Sequence, residues 1–313
     1  MLTKKSAKIV IAIVLSAALL AAATVSFIIF SVPKDNADAA ISAASSFNYL
    51  SNGAKYFYSN SNGSVNSVTV NSSAAKGSQS NPHVIHSSNQ WIFFSNLINA
   101  NNSSFNSSSV FFFIDNDLDF AGNSLNPVGS SASGFKATLF GGKHSFKNAR
   151  FQMTTDAANS GWKNAGLFAY LNEAKIYDLS IHSSCTFSFA PNASIMAGGF
   201  AARSSNSTFI NCSNFANNTV NNSGFTTNNV VIRLGGFVGE SSNNTAFYLS
   251  TFTGTLTTTA GNGSPKDSSG TALTYTDNTV VIGGFIGRIV YSGTPTITAD
   301  GCYSNTTISA THG

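Results

Sequence analysis

Charge is scarce in this chain: Asp, Glu, Lys and Arg make up 9% of 313 residues. No basic patch with interleaved aromatics occurs, so a nucleic-acid partner is not expected. Cysteine is nearly absent. Cys185, Cys212 and Cys302 are the whole set, an odd number without a C-x-x-C pair. That argues against a disulfide framework and for small buried hydrophobes, with at least one cysteine unpaired. The five histidines do not cluster: His83 and His86 are three apart, while His144, His182 and His312 stand alone. A zinc site would need further ligands that this spacing does not offer. G-x-S-x-G, H-E-x-x-H and the phosphate-binding loop are all missing. No cofactor is expected.

Asn, Ser, Thr, Gly and Phe are abundant instead. Aromatics at 12% argue against disorder, because there is much to bury. Small polar residues beside β-branched and aromatic ones suit a sheet protein with a Ser/Thr/Asn outer face.

The first 39 residues read as a signal peptide or signal anchor. Lys4, Lys5 and Lys8 precede the uncharged run Ile9 to Val32, long enough to cross a bilayer as a helix. The lysines would stay cytoplasmic, so the rest is exported to the cell surface or the medium. "ADA" at Ala37 to Ala39 fits a cleavage site; the length of the apolar run fits a retained membrane helix. Both readings stand. Removing this segment takes away Lys4, Lys5, Lys8 and Lys34 but only Asp35 and Asp38, so the remainder is nearly neutral. Residues 40–80, rich in Ser and Asn, read as a flexible spacer with at most a stray strand.

From residue 81 the text changes. "SNQWIFFSNLIN" has Ser87 or Ser88 in cap position and Trp91, Ile92, Phe94, Leu97 and Ile98 at helical spacing. "VFFFIDNDLDF" and "SGFKATLFGGKHSF" read as strands punctuated by turns. Repeats follow near 165–171, 197–220, 234–257 and 282–308: "AGLFAYL", "AGGFAAR", "LGGFVGE" and "IGGFIGR". Their phenylalanines, Phe168, Phe200, Phe237 and Phe285, are 32, 37 and 48 residues apart. The middle units align without gaps, placing Phe215 against Phe252. The long last spacing comes from the insertion "GNGSPKDSSGTALTYTDN". Such periods predict a solenoid, since one unit alone cannot bury its phenylalanine. The four rings are expected to share one internal column. Gly166, Gly199, Gly236 and Gly284 are expected to form corners needing an unusual φ or close approach.

"GGFVG" and "GGFIG" with a downstream "NC" or "GC" resemble the GLUG repeat of bacterial surface proteins. The helix, "IDNDLDF", "NPVGS" and "GFKATLFGGKHSFKN" resemble the lead-in of such proteins. Ala169, Ala201 and Gly142 depart from the pattern. The resemblance covers residues 81–313. It implies an all-β fold, a right-handed parallel β-helix with a short N-terminal capping helix, exported and often adhesin-like. After "ISATHG" no cap, anchor or sorting signal follows, which predicts a truncated or short member.

Candidate chemistry is thin. Asp115, Asp117 and Asp119 alternate along one strand and are candidate Ca²⁺ ligands, although a solvent face or bonds to turn amides explain them as well. Arg203, Glu240 and Arg288 lie three past their motif phenylalanines, in the place that Leu171 fills in the first unit. Stacked in register they would form an exposed ladder of alternating charge. A catalytic reading would pair Glu240 with an Asp. Trp91 and Trp162 suit core packing or sugar stacking. The expected function is a non-catalytic surface protein, for adhesion or ligand display toward a host surface or glycan. Two alternatives remain: a carbohydrate-active β-helix enzyme, and the anchor-plus-repeat part of a longer protein. Carboxylates sharing a cleft, among Asp115, Asp117, Asp119, Glu173, Asp178 and Glu240, would favour the enzyme.

Overall fold

The computed structural model describes residues 46–130, 132–156, 161–191, 193–222, 230–260, 280–290 and 296–312. The signal-or-anchor segment and the insertion ahead of Val280 lie outside the described residues. Among the described residues no helix is long and apolar enough to cross a membrane. Phe47–Gly313 forms one unit. Its described part is all strands and turns apart from a single helix, Ser88–Asn99.

Five successive strands make the pattern: Ile195–Gly198, Ala201–Ser205, Thr208–Ile210, Ser213–Asn214 and Asn218–Asn221. Each pairs in parallel with its counterpart in the next unit, from Ile232–Gly235 through Leu256–Ala260. Each of those pairs again with a strand between Val280 and His312. The result is a set of parallel sheets, each receiving one strand per repeat. The longest, seven strands, begins at His83–Ile85. Alternation sends every second side chain inward, so like residues stack on like.

That register corrects two expected alignments. Phe200, Phe237 and Phe285 do stack, with centroids 4.8 and 4.9 Å apart and planes within 13°. Phe168 sits beside Ala201 instead, and its ring lies 5.2 Å from Phe135. Two residues separate Ala165 from Phe168 where three separate their partners Ala197 and Ala201, so Leu167 takes the place opposite Phe200; both Leu167 and Phe168 are buried. The gapless middle alignment also slips by one. Asn214, not Phe215, faces Phe252, because the corner holding Asn243 and Asn244 carries an extra residue. A one-residue slip exchanges inside for outside: Phe252 is buried while Phe215 is exposed. The same slip builds a second stack, Phe209 on Phe247, at 5.0 Å and 2°.

Left-handed corners are made chiefly by other residues than the motif glycines. Glu173, Asn206 and Asn243 share one corner position with φ near 60° (61°, 50° and 58°). Asp178, Asn211 and Leu249 share another, with φ of 51°, 52° and 53°. The motif glycines serve close approach: a Cβ on Gly236 would fall onto the Gly284 carbonyl oxygen and the Phe252 ring. Buried asparagines satisfy the tight carbonyls there. Asn214 Nδ2 donates to Gly236 O at 2.7 Å, and Asn218 Nδ2 to Gly235 O at 3.0 Å.

The helix closes the N-terminal end of the core. Ser87 caps it, its hydroxyl accepting from Gln90 N. Trp91 and Phe94 meet the rings of Phe146 and Phe112 at 4.6 and 4.8 Å.

The spacer expected at 40–80 is folded from Phe47 onward. Lys55–Ser59 and Val65–Thr69 form an antiparallel hairpin. Tyr56 stacks on Phe113 at 4.8 Å and Tyr58 meets Phe140 at 4.8 Å in a tilted contact, covering the outer face of the seven-stranded sheet. Composition misled here: Ala54, Tyr56, Tyr58, Val68 and Val70, at alternate positions, pack against the sheet and suffice to dock a short hairpin, however many serines surround them.

A charged corner as candidate functional site

Two adjoining sheets meet at the "GGF" bend. In one, Ile195 and Ala197, and Ile232 and Leu234, face the core. Alternation therefore turns Met196 and Arg233 outward, together with Asn164, which is in register with Met196. In the other sheet, Tyr170, Arg203, Glu240 and Arg288 are in register on the outer side. Outward side chains of the two sheets reach one another. Arg233 pairs with Glu240, whose second oxygen lies 3.9 Å from Arg203 Nε. The corner is thus re-entrant.

A third strand arm completes it. Met153–Thr155 pairs antiparallel with Lys163–Ala165, and Asp156 N donates to Trp162 O at 2.9 Å. This brings Asp156 Oδ2 to 3.5 Å from Arg203 and sets the Trp162 ring 4.4 Å from the Arg233 guanidinium. Arg203 lies 5.2 Å from the Tyr170 ring. The carboxylates are the buried members: side-chain exposure is 0% for Asp156 and 8% for Glu240, against 22% for Arg203. Burying such charges is tolerable only when each has its partners, and removing one partner costs about 3–5 kcal/mol.

The predicted ladder of Arg203, Glu240 and Arg288 is therefore in register, but Glu240 is buried rather than exposed, and Tyr170 rather than Leu171 heads the column. Asp156 and Arg233 went unrecognised. Arg233 carried a readable signal, a charge between two core aliphatics in a strand. Asp156 carried none, because an antiparallel turn of the chain delivers it.

The three aspartates do not converge. Asp115 meets His86 at 2.9 Å. Asp117 accepts from Lys147 Nζ and Ser145 N, and that lysine contact holds its carboxyl below the usual carboxylate range. Asp119 bonds Ala121 N and Asn148. Among the described residues no three His, Cys, Asp or Glu form a group able to hold a metal ion. Asp178 is a latch: it accepts from Ser59 N at 2.7 Å, from Ser59 Oγ at 2.6 Å and from Asn211. Glu173 is a corner residue and Trp91 a core one. Cys185 and Cys212 are buried free thiols, with burial pushing Cys212 up to about 12.

Scans against family models, curated proteins and solved structures find no match to this chain.

Proposed function

We propose that this is an exported, non-catalytic surface protein of the GLUG-repeat kind. Its parallel sheets wind as a right-handed β-helix, and its outer columns display a ligand-binding face for adhesion. The apolar leader behind three lysines supports export. The in-register pairing of every repeat and the helix over one end support the winding. The observation that carries the role is the charged corner, where outward side chains from successive repeats meet and the carboxylate oxygens are engaged by guanidiniums. Such a surface suits recognition better than proton transfer, which needs a carboxyl within reach of a substrate proton.

A carbohydrate-active enzyme is the second reading, and one observation favours it: Asp156 and Glu240 both approach Arg203. Protease shaving of intact cells followed by mass spectrometry tests surface display, and reads the mature N-terminus at the same time. Surface peptides from residues 46–312 are expected; exclusively cytoplasmic protein would overturn the reading. A glycan array with product analysis separates binder from enzyme, since a binder returns its glycan at full length.

A further inference from the structure

We infer that the outer face of the four-stranded sheet ending at Ile308–His312 binds the surface of ice. This goes beyond the display reading and concerns other residues than the charged corner. Phe187–Phe189, Asn218–Asn221, Leu256–Ala260 and Ile308–His312 pair in parallel without a slip. Phe187, Phe189, Val220 and Leu256 are buried in the core, so alternation turns their strand neighbours outward. Ser188, Thr219, Thr257 and Ser309 form one outward column, one residue per repeat. Asn221, Thr259 and Thr311 form a second beside it. All seven are half-buried or exposed. The ladder sets successive residues of a column about 4.8 Å apart, and two residues along a strand set the columns about 6.6 Å apart. Both spacings are fixed by the backbone, not by side-chain rotamers.

Complementarity of charge names the occupant. None of the seven side chains is charged, so the mesh gives an ionic mineral or a polyelectrolyte nothing to pair with. None is an aromatic ring on which a sugar could stack. A sheet face also lacks the concave shape that holds a small molecule. What the mesh does offer is uncharged and works both ways: each hydroxyl has one donor and two acceptor sites, and the amide has both kinds. A water lattice presents the same inventory, in rows of oxygens that repeat on the scale of this mesh. Thr311 Oγ1 donates to Thr259 Oγ1 at 3.2 Å, so hydroxyls of successive repeats are aligned along the column. Four of the seven are threonines, whose branching restricts χ1. Such side chains are placed before any partner arrives, which lowers the cost of ordering them. A discrete ligand would use one or two of these groups and gain nothing from the repetition; a lattice uses all of them.

The test uses the full chain in mild detergent, with detergent alone as the blank and a bystander protein of similar size as the control. Slowly growing ice is the probe, and the fraction of protein taken into it is measured beside the rate of ice recrystallisation. The wild type is expected to enter the ice while the bystander is excluded, and to slow recrystallisation. Thr257→Lys and Thr219→Lys each put a long charged side chain into the middle of the mesh and are expected to lose both effects. Lys55→Gln, in the hairpin, is expected to keep them. Circular dichroism checks folding; should the central variants unfold, Ser309→Lys on the outermost described strand replaces them with the same expectation. Exclusion of the wild type from ice would overturn the inference, as would wild-type behaviour of the folded lysine variants. Self-association in place of ice uptake, lost in Thr257→Lys, would overturn it and give the face to a second copy. Adsorption to microcrystalline cellulose in place of ice would overturn it and give the face to a polysaccharide. The display reading falls on a different result, exclusively cytoplasmic protein, which leaves ice uptake in vitro unaffected.

Discussion

Replacing Phe237 by alanine tests the aromatic stack directly. The ring lies between Phe200 at 4.8 Å and Phe285 at 4.9 Å, and meets the edges of Phe209 and Phe247 at 5.9 and 5.8 Å. It is wholly buried. Truncating a buried phenylalanine costs about 3–5 kcal/mol, and aromatic pairing adds about 0.5–1.5 kcal/mol per pair beyond area. Phe237→Ala should therefore fall near the top of that range, about 4–5 kcal/mol, a large share of a domain's roughly 5–15 kcal/mol. Phe285 is only partly buried and meets Phe237 and Phe247. Phe285→Ala should cost less, about 1–3 kcal/mol by the same accounting. Urea unfolding followed by near-UV and far-UV signals measures both, and coincidence of the two signals checks that the repeats unfold together. The Phe200/Phe237 double-mutant cycle should return a coupling of about 1 kcal/mol. If Phe285→Ala proved as damaging as Phe237→Ala, or the cycle were additive, the stack would not be the source of stability argued here.

Four more expectations concern single groups. His83 is packed against Phe47, Phe105 and Phe112, and burial, aided by Lys76, lowers its pKa to about 4. The unfolded chain binds a proton near 6.5 that the folded one refuses, so stability should fall by up to about 3 kcal/mol as pH drops from 6.5 to 4; His83→Phe should flatten that part of the pH profile. Asp178→Asn sets an amide group against Ser59 N–H and should speed hydrogen exchange in the hairpin Lys55–Thr69 while the helix stays protected. Gly236→Ala forces a methyl into the Gly284 carbonyl and should lower the melting temperature more than Gly53→Ala at an open turn, where only the positive φ is strained. Cys212, buried with its thiol pushed up to about 12, should resist thiol reagents until the protein unfolds.

The alternation of apolar residues, the sheet-rich composition and the recurrence of "GGF" are local patterns, and the sequence alone determined from them that strands would pair repeat upon repeat. The helix was legible for the same reason: Ser87, Trp91, Phe94 and Ile98 state its cap and its buried face within a dozen residues. Register was not legible. One missing residue before Phe168 and one extra near Asn244 decide which ring is inside, and corner geometry absorbs such changes without a sequence mark. Nor could the text between Phe47 and residue 80 announce that its hairpin docks, because its partners, Phe113, Phe140 and Asp178, lie far along the chain. The charged corner divides the same way. Arg203, Glu240 and Arg288 follow from repeat spacing, whereas Arg233 and Asp156 join them only because two sheets bend toward each other and an antiparallel arm folds alongside. Periodicity is written in neighbours; the meeting of distant side chains is settled by how the sheets pack.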